Sequence, residues 1–84
     1  MEAAIDFEPK KILAANPDRQ PITIKNMGEF SCKVILNGIA DRTGNSVEIN
    51  LPSGGETEFD GTYKGEVWCR TLSSQAETAL EIIE

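Results

Sequence analysis

Apolar and polar positions alternate along most of this chain in short bursts separated by turn residues, which is the period of half-buried strands. The clearest burst is Pro21 to Asn26, where Ile22 and Ile24 alternate with Thr23 and Lys25. Ser31 to Leu36 sets Cys32, Val34 and Leu36 on one face against Lys33 and Ile35 on the other. Ser46 to Leu51 alternates Val47, Ile49 and Leu51 with Glu48 and Asn50, and Gly65 to Thr71 alternates Val67 and Cys69 with Glu66, Trp68 and Arg70. Shorter runs at Ala4 to Phe7, Lys11 to Ala14 and Glu56 to Phe59 predict further strands. The last segment, AETALEIIE, is rich in helix formers, yet Thr78, Leu80 and Ile82 alternate with Ala79 and Glu81. The preceding strands need a closing partner, so a strand is expected there.

The punctuation between runs is turn chemistry. Asn16-Pro17-Asp18, Met27-Gly28-Glu29, Asn37-Gly38, Pro52-Ser53-Gly54-Gly55 and Asp60-Gly61 all break the pattern, and Gly54 and Gly55 are expected to supply positive φ. Short strands with such spacing predict an all-β fold, a small antiparallel β-sandwich or barrel of about 7–8 short strands. Residues 1–10 read as an N-terminal arm or edge strand, and 11–84 as a single sandwich domain. The expected inward set is Ile22, Ile24, Val34, Leu36, Val47, Ile49, Leu51, Phe59, Val67, Cys69, Leu80 and Ile82.

With 84 residues there is room for one core, and a domain of this size buries only about 60–65% of its unfolded surface. Acidic residues number 14 against 8 basic ones, a formal net charge of −6. That excess disfavours nucleic acid, which demands a basic face, and it disfavours anionic membranes. No transmembrane run, signal peptide or Asn-x-Ser/Thr acceptor is present, so residence in a cytoplasm is expected. Cys32 and Cys69 are the two cysteines, and they read as reduced, buried small residues.

Candidate chemistry is thin. There is no histidine, which removes Ser-His-Asp and Cys-His constellations within this chain. No P-loop or GxGxxG appears. Glu56 and Glu58 share one face of a strand and read as a solvated face. Asp41, Asn45 and Asp60 offer oxygens at spacings that match no calcium loop. No cofactor or metal is expected, and no enzymatic role. Arg19 follows the Asn16-Pro17 corner and reads as a structural clamp, bridging turn carbonyls or a carboxylate such as Glu84. With Asn26, Gly54 and Gly55 it makes up the structural set. Candidate interface residues are Ile5 and Phe7 in the arm, Ile35 and Trp68 on the face opposite Val34 and Val67, and Arg42 in the charged Ile39 to Asn45 loop. Ile5 and Phe7 either add a strand to a neighbouring subunit or pair within their own domain. Trp68 reads equally as packing or as an exposed anchor.

The order of motifs resembles small β-sandwich virion structural proteins of tailed bacteriophages. The run IL-A-ANP-x-R at Ile12 to Arg19, I-x-I-x-N at Ile22 to Asn26, LP-x-GG-x-x-x-F at Leu51 to Phe59, G-x-V at Gly65 to Val67 and the closing alternation from Leu80 to Glu84 carry the likeness. The resemblance implies a β-sandwich and a non-enzymatic place in the virion as head decoration, head-fibre or tail component. Its partners would be the major capsid protein or another virion protein, with a homo-oligomer possible. Synthesis would take place in the host cytoplasm. The chain departs from the pattern after Asn37, where IADRTGN is charged in place of a small-residue stretch, so no contact through that loop carries over. An alternative is a tail-fibre or baseplate module that binds a host glycan on Trp68 and Tyr63.

Overall fold

The computed structural model describes residues 1–36, 47–59 and 63–84. Among them the regular structure is all β: β1 (Glu2–Ile5), β2 (Lys10–Leu13), β3 (Ile22–Asn26), β4 (Cys32–Leu36), β5 (Val47–Leu51), β6 (Glu56–Phe59), β7 (Val67–Thr71) and β8 (Thr78–Ile83). The expected Asn37-Gly38 and Asp60-Gly61 turns, the Ile39 to Asn45 loop with Asp41 and Arg42, and Asp60 itself lie outside the described residues.

Two four-stranded antiparallel sheets pack face to face, with orders β1-β8-β3-β6 and β2-β7-β4-β5. β4 pairs with β5, β3 with β6, β2 with β7 and β1 with β8. The chain is therefore one long hairpin, folded so that its successive strand pairs fall alternately in the two sheets. Closing pairs β3–β8 and β4–β7 complete the sheets. This is the strand order of a two-sheet jelly roll. Its consequence for function is directional: odd-numbered strands run toward one end of the sandwich and even-numbered strands run away from it. The loops after β1, β3, β5 and β7 share that end.

The core lies between the sheets. Ile24, Val34, Val67, Cys69 and Leu80 are fully buried, and Ile49 and Phe59 pack against them partly exposed. The inward set is as the alternation predicts wherever side chains are described. The closing segment is a strand, because Thr78 to Ile83 must supply partners to both β1 and β3. β2 departs from simple alternation. A register shift between Lys11 and Leu13 turns consecutive residues Ile12 and Leu13 inward, as a bulge does.

Two expectations need correction. The first strand ends at Ile5 and does not reach Phe7, because the Asp6 carboxylate accepts the Glu8 N–H at 2.9 Å and turns the chain. Of the two turn glycines only Gly54 has positive φ, at 76°. Gly55 is needed for room: a Cβ there would lie 3.0 Å from the Pro52 ring. The Gly55 N–H donates to Pro52 O at 2.8 Å, so Gly54 holds the third position of the turn, where a type II turn requires positive φ.

That assignment predicts a graded response at Gly54. A Cβ at Gly54 meets nothing within 4 Å, so a substitution there acts through backbone conformation alone. Gly54→Val should cost roughly 1–3 kcal/mol, a fall in thermal midpoint of about 5–20 °C for a domain this size. Gly54→Asn, which tolerates the left-handed region, should cost much less. Equal midpoints for the two variants in a circular-dichroism melt would refute the turn.

Candidate functional site

Three constellations gather the polar and aromatic residues singled out by the sequence. The first is the corner between β2 and β3. The Asn16 side chain accepts the Asp18 N–H at 2.9 Å, and the Arg19 N–H closes the turn on Asn16 O at 3.3 Å. Pro17 sits at the position where its fixed φ favours a turn. Arg19 is buried, and its Nη2 donates to Ala14 O at 2.8 Å and to Gly65 O at 2.7 Å. It clamps the corner to the segment entering β7, which also holds Asn16 N–H through Lys64 O at 2.9 Å. The partners are carbonyls, and Glu84 is not among them. A guanidinium is weakly hydrated enough to be buried against dipoles alone. Its Nε–H has no hydrogen-bond partner among the described residues.

The second constellation centres on Asn26, fully buried at the end of β3. Its Nδ2 donates to Phe30 O at 2.8 Å and Leu51 O at 3.0 Å. Its Oδ1 accepts the Thr78 hydroxyl at 2.6 Å and the Gly28 N–H at 3.1 Å. Its own N–H donates to Gly55 O at 2.8 Å, and its carbonyl accepts the Gly54 N–H at 3.0 Å. The side-chain amide thus uses all of its donors and two acceptor positions. Gly28 is obligatory here, because a Cβ would lie 1.9 Å from Thr78 Oγ1 and 2.9 Å from its Cα.

The third is the outer face of the β2-β7-β4-β5 sheet. Trp68 stands between Lys11 and Ile35 on neighbouring strands, and Ile35 faces Glu48 on its other side. Ile35 is buried although it points away from the core, so it is not an exposed patch. Aromatic and β-branched partners across strands cover each other in this way. Trp68 is half-buried, and its indole N–H donates to Glu66 Oε1 at 3.3 Å. Lys11 pairs with Glu66 at 3.2 Å and Lys33 with Glu48 at 3.1 Å. The Tyr63 hydroxyl donates to Glu66 O. The hydrogen bond from Lys11, then that from Trp68, holds the Glu66 carboxyl below its ordinary value.

The remaining candidates scatter. Ile5 is a core residue of β1, paired within its own domain opposite Thr78, so it forms no free arm. Phe7 is exposed, its ring 5.6 Å from the Arg70 guanidinium. Glu56 and Glu58 lie exposed on the outer face of the other sheet, opposite Lys25 and Thr23. Cys32 and Cys69 are free, buried and diagonal across β4–β7. The hydrogen bond with Cys32, together with burial, pushes the Cys69 thiol up. Among the described residues no group of three His, Cys, Asp or Glu side chains is placed to hold a metal. Alternation gave no sign of Met27, Phe30 and Leu72, which are large, apolar and exposed. They sit in loops, where no period marks them.

Comparison of the chain with protein-family models, with curated proteins and with solved structures finds no match.

Two outcomes follow from this geometry. Asn26→Ala orphans Phe30 O, Leu51 O, the Gly28 N–H and the Thr78 hydroxyl, at about 1–3 kcal/mol per buried group. Against a total stability of roughly 4–13 kcal/mol for a chain of this length, urea unfolding should show a loss of at least about 4 kcal/mol. Thr78→Val, which removes one of the four bonds, should lose about a quarter of that. A loss below about 1 kcal/mol for Asn26→Ala would refute the node. The second concerns Trp68, the one tryptophan. Because the Glu66 value is lowered by folding, its bonds to Lys11 and Trp68 are intact above about pH 4.5 and are lost as pH falls through the lowered value. Trp68 emission should shift on that acid limb in the native protein, and Glu66→Gln should remove the shift. An identical limb in that variant would refute the contact.

Proposed function

We propose that this chain is a non-enzymatic structural protein of a tailed-phage virion, a capsid decoration or head-fibre protein that docks on the assembled shell and stabilises it. The observation that carries the reading is the architecture itself. Eight short strands are rolled into a jelly roll around one small apolar core. The concavities beside the described residues, roughly 180 to 430 Å³, are open depressions along loops and strand edges. Such a body suits surface-to-surface docking better than enclosure of a small ligand. Jelly rolls recur in capsid proteins, an analogy of fold that supports the reading and assigns no site. The phage-like motif order adds to it.

The mechanism is mass action. A protein that binds assembled subunits and not dispersed ones stabilises the shell by its occupancy. Many copies around a symmetric shell add buried area across subunit boundaries. The protein would be made in the host cytoplasm and reside in the virion, with the major capsid protein or another virion protein as partner. The glycan-adhesion alternative needs a free aromatic platform. Trp68 has Ile35 beside it and its N–H engaged by Glu66, which favours the docking reading.

Co-sedimentation with undecorated phage capsids tests it. Wild-type protein should pellet with the shells at saturable stoichiometry and raise their melting temperature. No co-complex at any ionic strength would discard the proposal.

A further inference from the structure

Six large apolar side chains are exposed among the described residues, and four of them share one end of the sandwich. Phe7 lies in the β1–β2 loop, Met27 and Phe30 in the β3–β4 loop, and Leu72 in the β7–β8 loop, at 42%, 55%, 49% and 47% exposure. Strand direction alone brings these loops together. Thr71 pairs with Cys32 across β7–β4, which sets Leu72 and Phe30 at the same end of that pair. Phe7 joins them from β1, its ring over Arg70 on the same strand as Thr71.

These loops are held, not loose. The Thr71 N–H donates to Asp6 O at 2.9 Å, and its hydroxyl reaches Ser73 O and Ala76 O at 3.1 and 3.0 Å. Ser53 Oγ donates to Gly28 O at 2.7 Å, and Asn26 holds Phe30 O. Docking through such a surface orders little that is not already ordered, which keeps the entropic cost low.

The loops at this end are acidic, while the adjoining strand ends add Lys10, whose Nζ donates to Ala4 O at 3.3 Å, and Arg70 over the Phe7 ring. The four loops between the paired strands carry Asp6, Glu8, Glu29 and Glu77, all exposed, and no lysine or arginine. Apolar centre and charged rim is the anatomy of a protein interface. Isologous pairing with a second copy would set these acids against their own equivalents, a costly juxtaposition.

We propose that this loop end, with Phe7, Met27, Phe30 and Leu72 at its centre, is the docking surface, and that it takes a protein surface with an apolar centre and a lysine- and arginine-rich rim. The assignment of that basic surface to the virion shell rests on the function proposed above. The surface itself does not.

Two arms keep these apart. In the first, an amphipathic leucine–lysine peptide is titrated into the isotopically labelled protein and amide shifts are mapped, with a leucine–glutamate peptide alongside. Shifts should centre on residues 6–8, 27–31 and 72–77 with the lysine peptide and be absent with the glutamate peptide. Phe30→Ser and Leu72→Ser, both at exposed positions, should each weaken binding at least tenfold with thermal midpoints unchanged. Ile83→Ser, equally exposed at the opposite end, should bind as wild type. Shifts centred on Glu56 and Glu58, equal weakening by Ile83→Ser, or no binding would overturn the proposal. So would a concentration-dependent dimer that Phe30→Ser abolishes, which would name a second copy as occupant. In the second arm the same variants are sedimented with undecorated capsids. Loss of pelleting in Phe30→Ser and Leu72→Ser but not in Ile83→Ser supports the surface, and wild-type-like pelleting of Phe30→Ser overturns it. Failure of wild type to pellet, with the peptide map intact, discards the shell and supports the surface.

Discussion

The side-chain amide of Asn26 is the interaction on which the arrangement of this molecule depends. It sits where the chain leaves one sheet for the other, and its bonds run to three different parts of the chain: Phe30 O and the Gly28 N–H in the crossover, Leu51 O at the end of β5 and the Thr78 hydroxyl at the start of β8. Its backbone adds the β5–β6 turn through Gly54 and Gly55. A buried polar group is costly unless satisfied. Once satisfied, it specifies one arrangement where apolar packing alone accepts several. Leu or Val at this position would fill the volume but leave the crossover and the β8 entry without a fixed partner. Gly28 follows from the same constraint, since only a residue without a Cβ fits against Thr78.

Around that node the fold is a long hairpin rolled on itself, and nearly all of its pairings are non-local. β1 meets β8 and β2 meets β7 across most of the chain. Loop closure must precede the reward of those contacts, so local turn chemistry has to lower the entropy of the search. The Asn16-Pro17 corner and the Pro52 to Gly55 turn do this. Arg19 then acts after closure: its bonds to Ala14 O and Gly65 O tie two connections that meet only in the rolled state.

Strands were legible in this sequence because one face of each is buried, and burial imposes a period of two. β3, β4, β5 and β7 carry it plainly, and β8 carries it in spite of helix-forming residues, since pairing on both sides overrides intrinsic propensity. What failed to show was whatever depends on a neighbour distant in sequence. Ile35 reads as outward and is outward, yet cross-strand Trp68 and Glu48 bury it. Ile5 reads either as an arm for a neighbour or as a strand of its own domain, and only its pairing with β8 decides for the second. Gly54 and Gly55 look alike in sequence and differ in role, because φ at one and the Pro52 ring at the other set the requirement. Phe30 and Leu72 carried no signal at all, because a loop has no period for exposure to break.

The same logic narrows where a partner can sit. A small sandwich has two outer faces, four edges and two ends to offer. On one outer face Glu2, Glu81, Lys25 and Glu56 fall in a single row across four strands, and Glu58 continues the acidic edge on β6. Charge along an edge strand opposes unwanted strand addition. On the other outer face Lys11, Glu66, Trp68, Lys33 and Glu48 spend their charges and the indole N–H on one another. The second face, so occupied, has little unsatisfied interaction left to give. The end bearing the β1–β2, β3–β4 and β7–β8 loops differs in kind: its backbone is fixed by Asn26 and Thr71, while its large apolar side chains remain in water. Burying them is where docking free energy is still to be gained, and the element that fixes the fold is also the one that presents them.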